Sequence, residues 1–300
     1  MEKGERQSRG SARLTLAYVT DAGLFRPSLI SAYSALLHAA EPLRLLFVGV
    51  GLSPAMEAAV SRLGARFSEH RVEVFAMPQD WLREATSPKS FITPTALGRM
   101  FLPRITEGRV LYVDGDTMVA GDLASLADLD LRGRPIAGVR DFAVMRWRAL
   151  RAEEKLARQA ALLGGSASLD DYINSGVLLM ECDAIRAEPA LQAAMEDMKA
   201  AQGYPTVDQD RINVVFSGRI TLLDPAWNCS WGRLARQRRD MAGLPVAGAV
   251  PSPRILHFHG PNKPWQRLRI STLRKGGLQV LRYRRLMAAC ERDIPEIRDL

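Results

Sequence analysis

Two rhythms of apolar and polar residues run through this 300-residue chain. Short unbroken apolar runs read as buried strands. Stretches whose apolar residues return every three to four positions read as helices with one face on a core. The runs predict strands over residues 14–19, 43–48, 71–75, 110–113, 135–139 and 173–180, with 219–223 and 254–258 completing the same sheet. Helices are predicted over 27–39, 54–63, 95–104, 146–163, 183–202 and 208–216. Local chemistry supports several boundaries. Pro27 suits a first helical turn, and Ser53-Pro54 offers an N-cap followed by a first helical residue. Asp122 is placed to cap a short helix, and Gly164-Gly165 closes the helix at 146–163. Residues 1–12 read as a disordered leader, and 232–253, rich in Arg, Gly and Pro, as a surface loop. The alternation implies an α/β fold with a mostly parallel central sheet flanked by helices. Ligands of such sheets gather beyond the carboxyl ends of the strands.

Composition narrows the picture. Apolar residues make up 47% and charged residues 25%, ordinary for a globular chain with an ample core. Cys182, Cys229 and Cys290 are odd in number and far apart, which argues against a disulfide framework and fits a reducing compartment. The polar, basic N-terminus has no apolar segment behind it, so no signal peptide is expected. No apolar run approaches the roughly 20 residues needed to span a bilayer. The expected location is cytoplasmic, or on the cytoplasmic face of the inner membrane. The net charge of +8 suits an anionic partner, although richness in Arg also follows from base composition alone. No basic run interleaved with aromatics marks a nucleic-acid platform, so nucleic acid is not an expected partner.

The chemistry concentrates in a few places. Arg109-Val110-Leu111-Tyr112-Val113-Asp114-Gly115-Asp116-Thr117 delivers two carboxylates where a strand should end. On an extended chain i and i+2 share a face, so Asp114 and Asp116 can aim at one point. Carboxylates that close repel unless a proton or a cation lies between them, and a divalent metal between carboxylates commonly holds a phosphate. The plainer alternative is a strand running into an acidic turn. Gly49-Val50-Gly51 hints at a dinucleotide turn, but Pro54 stands where the third glycine belongs. His257-Phe258-His259-Gly260-Pro261-Asn262-Lys263-Pro264-Trp265 gathers two of the four histidines, a glycine that permits close backbone approach, and a lysine able to meet a phosphate. Asp208-Gln209-Asp210 opens a helix, where acidic residues also simply favour the dipole. Asn174-Ser175-Gly176 begins a strand and can be turn chemistry.

A D-x-D after a strand, an N-S-G strand, a D-Q-D helix start and an H-x-x-G-x-x-K-P-W, in that order, resemble glycosyltransferase family 8. Within it the chain is similar to the bacterial lipopolysaccharide galactosyl- and glucosyltransferases, from about residue 14 to residue 265. The resemblance implies a GT-A fold over residues 13–265. It implies a UDP-sugar donor with Mn²⁺, or Mg²⁺ as the alternative, and retention of anomeric configuration. By motif match Asp114, Asp116 and His257 would be the metal ligands, a set that suits Mn²⁺ better than Mg²⁺. His259 misses the ligand position and is assigned to support. Gly260 and Lys263 would hold the diphosphate. Thr20 and Asp21 match positions that bind the uridine, and Arg99 matches an arginine that contacts the donor. Asp141, Asn174 and Ser175 would line the sugar pocket, with Asp208 and Gln209 at the sugar's reactive face. Two departures stand out. Ala22-Gly23 follows Asp21 where family members carry polar residues, and Gly115 stands where an apolar residue is commoner.

Two other classes compete. A haloacid-dehalogenase-type phosphatase also places D-x-D after a strand, but it wants Thr or Val where Met118 stands, and Thr117 is one position early. A relative that binds sugar nucleotide without transferring is the non-enzymatic alternative. Residues 266–300 interleave Arg267, Arg269, Arg274, Lys275, Arg282, Arg284 and Arg285 with apolar residues at helical spacing. That basic tail would suit an anionic membrane surface beside a glycan or glycolipid acceptor, or a solvated helix packed on the core.

Overall fold

The strands form close to where the apolar runs predict them, and the longer helices break where backbone chemistry forbids continuation. A computed structural model describes residues 12–83, 94–164, 168–241, 252–267 and 270–300. The leader through residue 11 therefore lies outside the described residues, as do Gly165 and residues 242–251 of the expected loop.

Strands β1 (Thr15–Thr20), β2 (Arg44–Gly49) and β3 (Arg71–Ala76) alternate with α1 (Phe25–His38) and α2 (Pro54–Arg66). Ser53 caps α2, its Oγ accepting from the Met56 amide at 3.3 Å. The helix expected over 95–104 is instead a 3₁₀ turn, Pro94–Phe101, followed by the short α3 (Leu102–Ile105). Pro103 has no amide hydrogen to donate, so it suits the first turn of α3 and not the interior of one continuous helix. Next come β4 (Arg109–Val113), β5 (Thr117–Val119) and β6 (Ile136–Arg140). Asp122 caps no α-helix: it accepts from the Ala124 amide at 3.1 Å, at the start of a 3₁₀ turn, Ala124–Leu126, whose N-cap residue is Leu123.

The single helix expected over 146–163 is two, α4 (Phe142–Ala149) and α5 (Glu153–Leu162). Arg151 between them has φ +51, outside the helical region. Asp141 caps α4, accepting from Ala143 at 2.8 Å and Val144 at 3.1 Å. After β7 (Ile173–Glu181), the helix expected over 183–202 is three: α6 (Cys182–Arg186), α7 (Pro189–Glu196) and α8 (Met198–Gln202). Pro189 can start a helix but not continue one, and Asp197 caps α8 through the Ala200 amide. The remaining elements are α9 (Asp208–Val215), β8 (Ile220–Leu222), β9 (Cys229–Ser230), α10 (Leu234–Met241), β10 (Ile255–His257) and α11 (Ile270–Asp293). Helix α10 occupies part of the stretch expected to be loop. Its polar, arginine-rich sequence hides the helical period.

The main sheet has the order β3-β2-β1-β4-β7-β6-β8. It is parallel except for β7, which runs against both neighbours. Along β1, Leu16 and Tyr18 enter one apolar cluster and Ala17 and Val19 the other. Both faces are thus covered, and the strand reads as a continuous apolar run for that reason. The segment at 254–258 does not complete this sheet. Its strand β10 lies in a second sheet, β5-β10-β9, with His257 opposite Thr117 and Ser230. That pairing carries the C-terminal histidine motif back to the aspartates. Helix α11 buries Val280, Tyr283 and Cys290 against the first cluster. Among the described residues no helix is long and apolar enough to cross a membrane.

Candidate active site

Asp114 and Asp116 lie in the turn between β4 and β5, past the strand end. Backbone bonds to two other elements, rather than strand alternation, hold them. The Asp114 amide donates to Gly176 of β7 at 2.8 Å, and the Asp116 carbonyl accepts from Phe258 at 2.8 Å. One side-chain ligand atom each of Asp114, Asp116 and His257 lies within 4.8 Å of the others. His257 Nε2 stands 3.2 Å from Asp116 Oδ1 and 3.7 Å from Asp114 Oδ2. Its Nδ1 faces Asn228 Oδ1 at 3.0 Å. Because Asn228 Nδ2 donates to Asn174 Oδ1 at 2.9 Å, Asn228 Oδ1 is left to accept. The imidazole therefore carries its proton on Nδ1, and in the neutral ring the Nε2 lone pair faces the carboxylates. This donor set fits a divalent cation.

Two glycines make the geometry attainable. A Cβ on Gly176 would lie 2.4 Å from His257 Cε1 and 2.7 Å from Asp114 Oδ2, inside the space a cation needs. A Cβ on Gly115 would lie 2.1 Å from Ser28 Oγ. Ser28 in turn contacts Thr20 Oγ1 at 3.2 Å, so the ends of β1 and β4 meet through it. Gly115 thus answers to Ser28, which explains one departure from the family pattern. The other departure, after Asp21, is met by a different segment. Asp21 accepts from the Gly23 and Leu24 amides and from Thr95 Oγ1 at 2.7 Å.

Cations flank the carboxylates. Arg99, 4% exposed, reaches Asp114 Oδ1 at 3.0 Å, the Ser175 carbonyl at 2.7 Å and Asp208 Oδ2 at 3.4 Å. Its guanidinium lies over the Tyr112 ring, 4.6 Å from the centroid. Burial opposes its charge, but Asp114 and Asp208 outweigh that and hold its pKa above the usual arginine value. The Lys263 ammonium donates to Asp116 Oδ2 and to the Phe258 carbonyl. Burial would raise the Asp116 pKa, yet His257 and Lys263 hold it well below the carboxylate range. His257 is raised, since Asp116 and Asp114 overcome the opposing effect of burial. Burial raises Asp208, which Arg99 only partly offsets, and its Oδ2 makes no hydrogen bond.

A cavity of about 190 Å³ adjoins this centre, with Asp141, Asn174, Asn228, Ser230 and His257 in its wall. Gln209 ties two of these wall residues, Asn174 and Asp141, together. Its Oε1 accepts from Asn174 Nδ2 at 2.9 Å and Ser175 N at 3.3 Å, and its Nε2 donates to Tyr172 Oη at 3.1 Å and Asp141 Oδ2 at 3.3 Å. The helix presenting Asp208 and Gln209 is anchored firmly. Asn213 bridges Ile173 N and O on β7, while Asp210 accepts from Tyr172, Gln159 and the Thr206 amide. Asp210 is therefore a buried anchor and not a dipole partner. Val207 just before has φ +54 and ψ −103, strained for a β-branched residue. His259 bonds Ser230 Oγ at 2.7 Å, a supporting contact.

The structure thus gathers Asp114, Asp116, His257, Lys263, Arg99, Ser175 and Asp208 at one centre, with Asp141, Asn174 and Gln209 beside it. Thr20 and Asp21 join through Ser28 and Thr95. Gly260, with φ +91 and nothing near its missing Cβ, shapes the loop after β10. Sequence reasoning missed Asn228, Ser28, Thr95 and Tyr172. Their only signal is the pairing of distant segments.

The sequence model of Glycosyl transferase family 8 matches residues 15–269. Among curated proteins the chain is similar to glycosyltransferase GlyE of Streptococcus pneumoniae, 26% identical over 190 residues, covering 61% of this chain and 40% of GlyE. It is similar also to lipopolysaccharide 1,2-glucosyltransferase of Escherichia coli, 28% identical over 168 residues, covering 54% of this chain and 46% of that protein. The matches thus span less than half the length of either relative. Among solved structures, galactosyltransferase LgtC in complex with donor and acceptor sugar analogues superposes with a TM-score of 0.74 at 20% identity, over 92% of this chain and 95% of LgtC. The α/β architecture is that GT-A-type fold.

Proposed function

The chain belongs to glycosyl transferase family 8, and on that premise we propose that it is a retaining, metal-dependent hexosyltransferase. It would move galactose or glucose from a UDP-sugar to a glycan acceptor of the lipopolysaccharide, lipooligosaccharide or other cell-surface kind. The observation that carries this is the convergence of Asp114, Asp116 and His257 beside Lys263 and a sugar-sized cavity with Asp141, Asn174 and Asn228 in its wall. Family membership sets aside the phosphatase alternative.

Asp114, Asp116 and His257 would hold the metal, and the mixed imidazole and carboxylate donors favour Mn²⁺ over Mg²⁺. A bound divalent ion supplies charge neutralisation to the departing UDP diphosphate. Lys263 now sits on Asp116 and would turn to the diphosphate when nucleotide binds. Arg99 holds Asp114 and Asp208 in place for both ligands. Thr20 and Asp21 would meet the uridine, and Gly260 would let the loop backbone approach the diphosphate. Asp141, Asn174, Ser175 and Gln209 would orient the hexose.

In transfer, the bond from the anomeric carbon to the phosphate oxygen breaks, and its electron pair leaves with UDP. The acceptor hydroxyl attacks the same face and gives its proton to the leaving phosphate oxygen. Double displacement would need a nucleophile on the far face. Asp208 is 4% exposed and committed to Arg99, and both ends of the Gln209 amide are engaged. These engagements support front-face attack. Asp208→Asn is expected to lower turnover partially, and near-complete loss together with a trapped glycosyl-enzyme in the wild type would overturn the front-face route.

The primary test is a panel of UDP-sugars assayed for Mn²⁺-dependent UDP release, since slow hydrolysis needs no acceptor. Release from UDP-galactose or UDP-glucose supports the proposal. Binding without release would mark a non-catalytic relative.

A further inference from the structure

A second cavity, about 610 Å³, adjoins the sugar pocket. Arg233 lines both cavities, so they are neighbours. Trp231 and Gly276 form its floor, and Arg236, Leu278 and Gln279 stand in its wall. A Cβ on Gly276 would lie 2.9 Å from the Trp231 ring, so the glycine at the kink of α11 lets that helix lie directly on the indole.

Asp240 on α10 is shared by Arg146 and Arg239 at 3.5 Å each. Arg233 and Arg236 are exposed, and among the described residues neither has a carboxylate partner. The Arg233 guanidinium rests over the Phe142 ring, 5.4 Å from its centroid, which orients it without neutralising it. Two uncompensated guanidiniums at one cavity call for an anion, and their planar forks match phosphate or carboxylate oxygens. Through Arg233 the cavity borders the pocket lined by Asp141, Asn174 and Asn228, where the hexose would lie. The diphosphate of the donor would lie at Lys263, which lines neither cavity. The anion is therefore not part of the donor.

We propose that this cavity is an acceptor subsite, and that Arg233 and Arg236 select a glycan acceptor carrying a phosphate or carboxylate. The inference rests on the transferase function proposed above. It is tested with the full chain saturated with UDP and Mg²⁺, by calorimetric titration of glucose 6-phosphate and of glucose. Glucose 6-phosphate is expected to bind at least about tenfold tighter than glucose, as charge-assisted bonds to two arginines allow. Arg236→Glu should abolish that preference and Arg236→Lys retain most of it. Arg158→Glu, the same charge change at an exposed position on α5, should leave it intact. Equal binding of the two sugars by a chain that binds UDP overturns the subsite alone. Equal loss in Arg158→Glu reduces the effect to net charge and also overturns it. A chain that binds no UDP with metal loses the transferase function and the subsite together. Phosphatidylglycerol vesicles separate the remaining source of phosphate. If Arg236→Glu weakens vesicle binding and leaves glucose 6-phosphate unaffected, the arginines serve a lipid headgroup and the acceptor proposal fails.

Discussion

Asn228 decides which nitrogen of His257 faces the two aspartates. Losing it removes the acceptor for Nδ1 and the donor to Asn174 at once. Asn228→Ala is expected to lower Mn²⁺ affinity by about 10–100-fold, the usual effect of removing a partner behind a metal-bound histidine. Unchanged affinity in a Mn²⁺ titration would show that the tautomer is set elsewhere. The charge state of His257 gives a second prediction. Its folded pKa is raised, so the stability it lends to the metal-free protein is complete below the unfolded value and fades as pH rises through the folded one. Metal binding needs the neutral ring, so affinity runs the opposite way and climbs with pH until it passes the raised pKa. Calorimetry in buffers of different ionisation enthalpy should detect proton release, and no release at pH 6 would contradict the assignment. Asp114 and Asp116 were legible in the sequence through their i, i+2 spacing after a strand, and His257 and Lys263 because two scarce residue types sit close together. Asn228 lies in Trp-Asn-Cys-Ser-Trp, which has no spacing to betray it. Its role exists only once β9 lies beside β10.

The second sheet is the least legible element for a related reason. β5, β9 and β10 are three, two and three residues long, too short for periodicity to register. The long buried strands stood out because both their faces are covered. The amphipathic patterns at 146–163 and 183–202 persisted across backbone breaks, since the side-chain period survives where φ does not. Helix α11 shows two characters. One side buries Tyr283, whose ring lies 5.2 Å from Phe258 and 5.6 Å from Trp265. The other leaves Ile270 71% and Leu281 50% exposed. Cutting the chain after Trp265 would strip the core, so substitutions on the exposed side test membrane binding more cleanly. Ile270→Glu with Leu281→Glu is expected to weaken sedimentation with phosphatidylglycerol vesicles by about tenfold or more, as apolar insertion and basic charge both contribute. Equal sedimentation of variant and wild type would assign the tail to packing alone.

At the scale of the molecule, the order β3-β2-β1-β4 puts β2 and β4 on opposite sides of β1. Chains leaving β1 and β4 therefore part around a crevice at their carboxyl ends, where Asp21 and Asp114 lie. The α/β class and this location followed from the strand-helix alternation. The antiparallel β7 did not, because a buried strand reads the same in either direction. Metal and nucleotide would share this crevice, so their effects on stability should be coupled. With both at about 100 times their dissociation constants, each contributes roughly 2.7 kcal/mol if independent. UDP and Mn²⁺ together are expected to raise the melting temperature by more than the sum of their separate shifts, as read by scanning calorimetry. Additive shifts would place the two ligands at unlinked sites.

The contact of Lys263 with Asp116 spans 147 residues of chain. During synthesis both aspartates leave the ribosome long before β10 can lie beside β5. Until then the growing chain holds two carboxylates and lacks the imidazole and the ammonium. Strong metal loading at this centre would therefore come late, after β10 has paired with β5. A chain that has not yet reached Lys263 would thereby be kept from capturing nucleotide on a half-built centre.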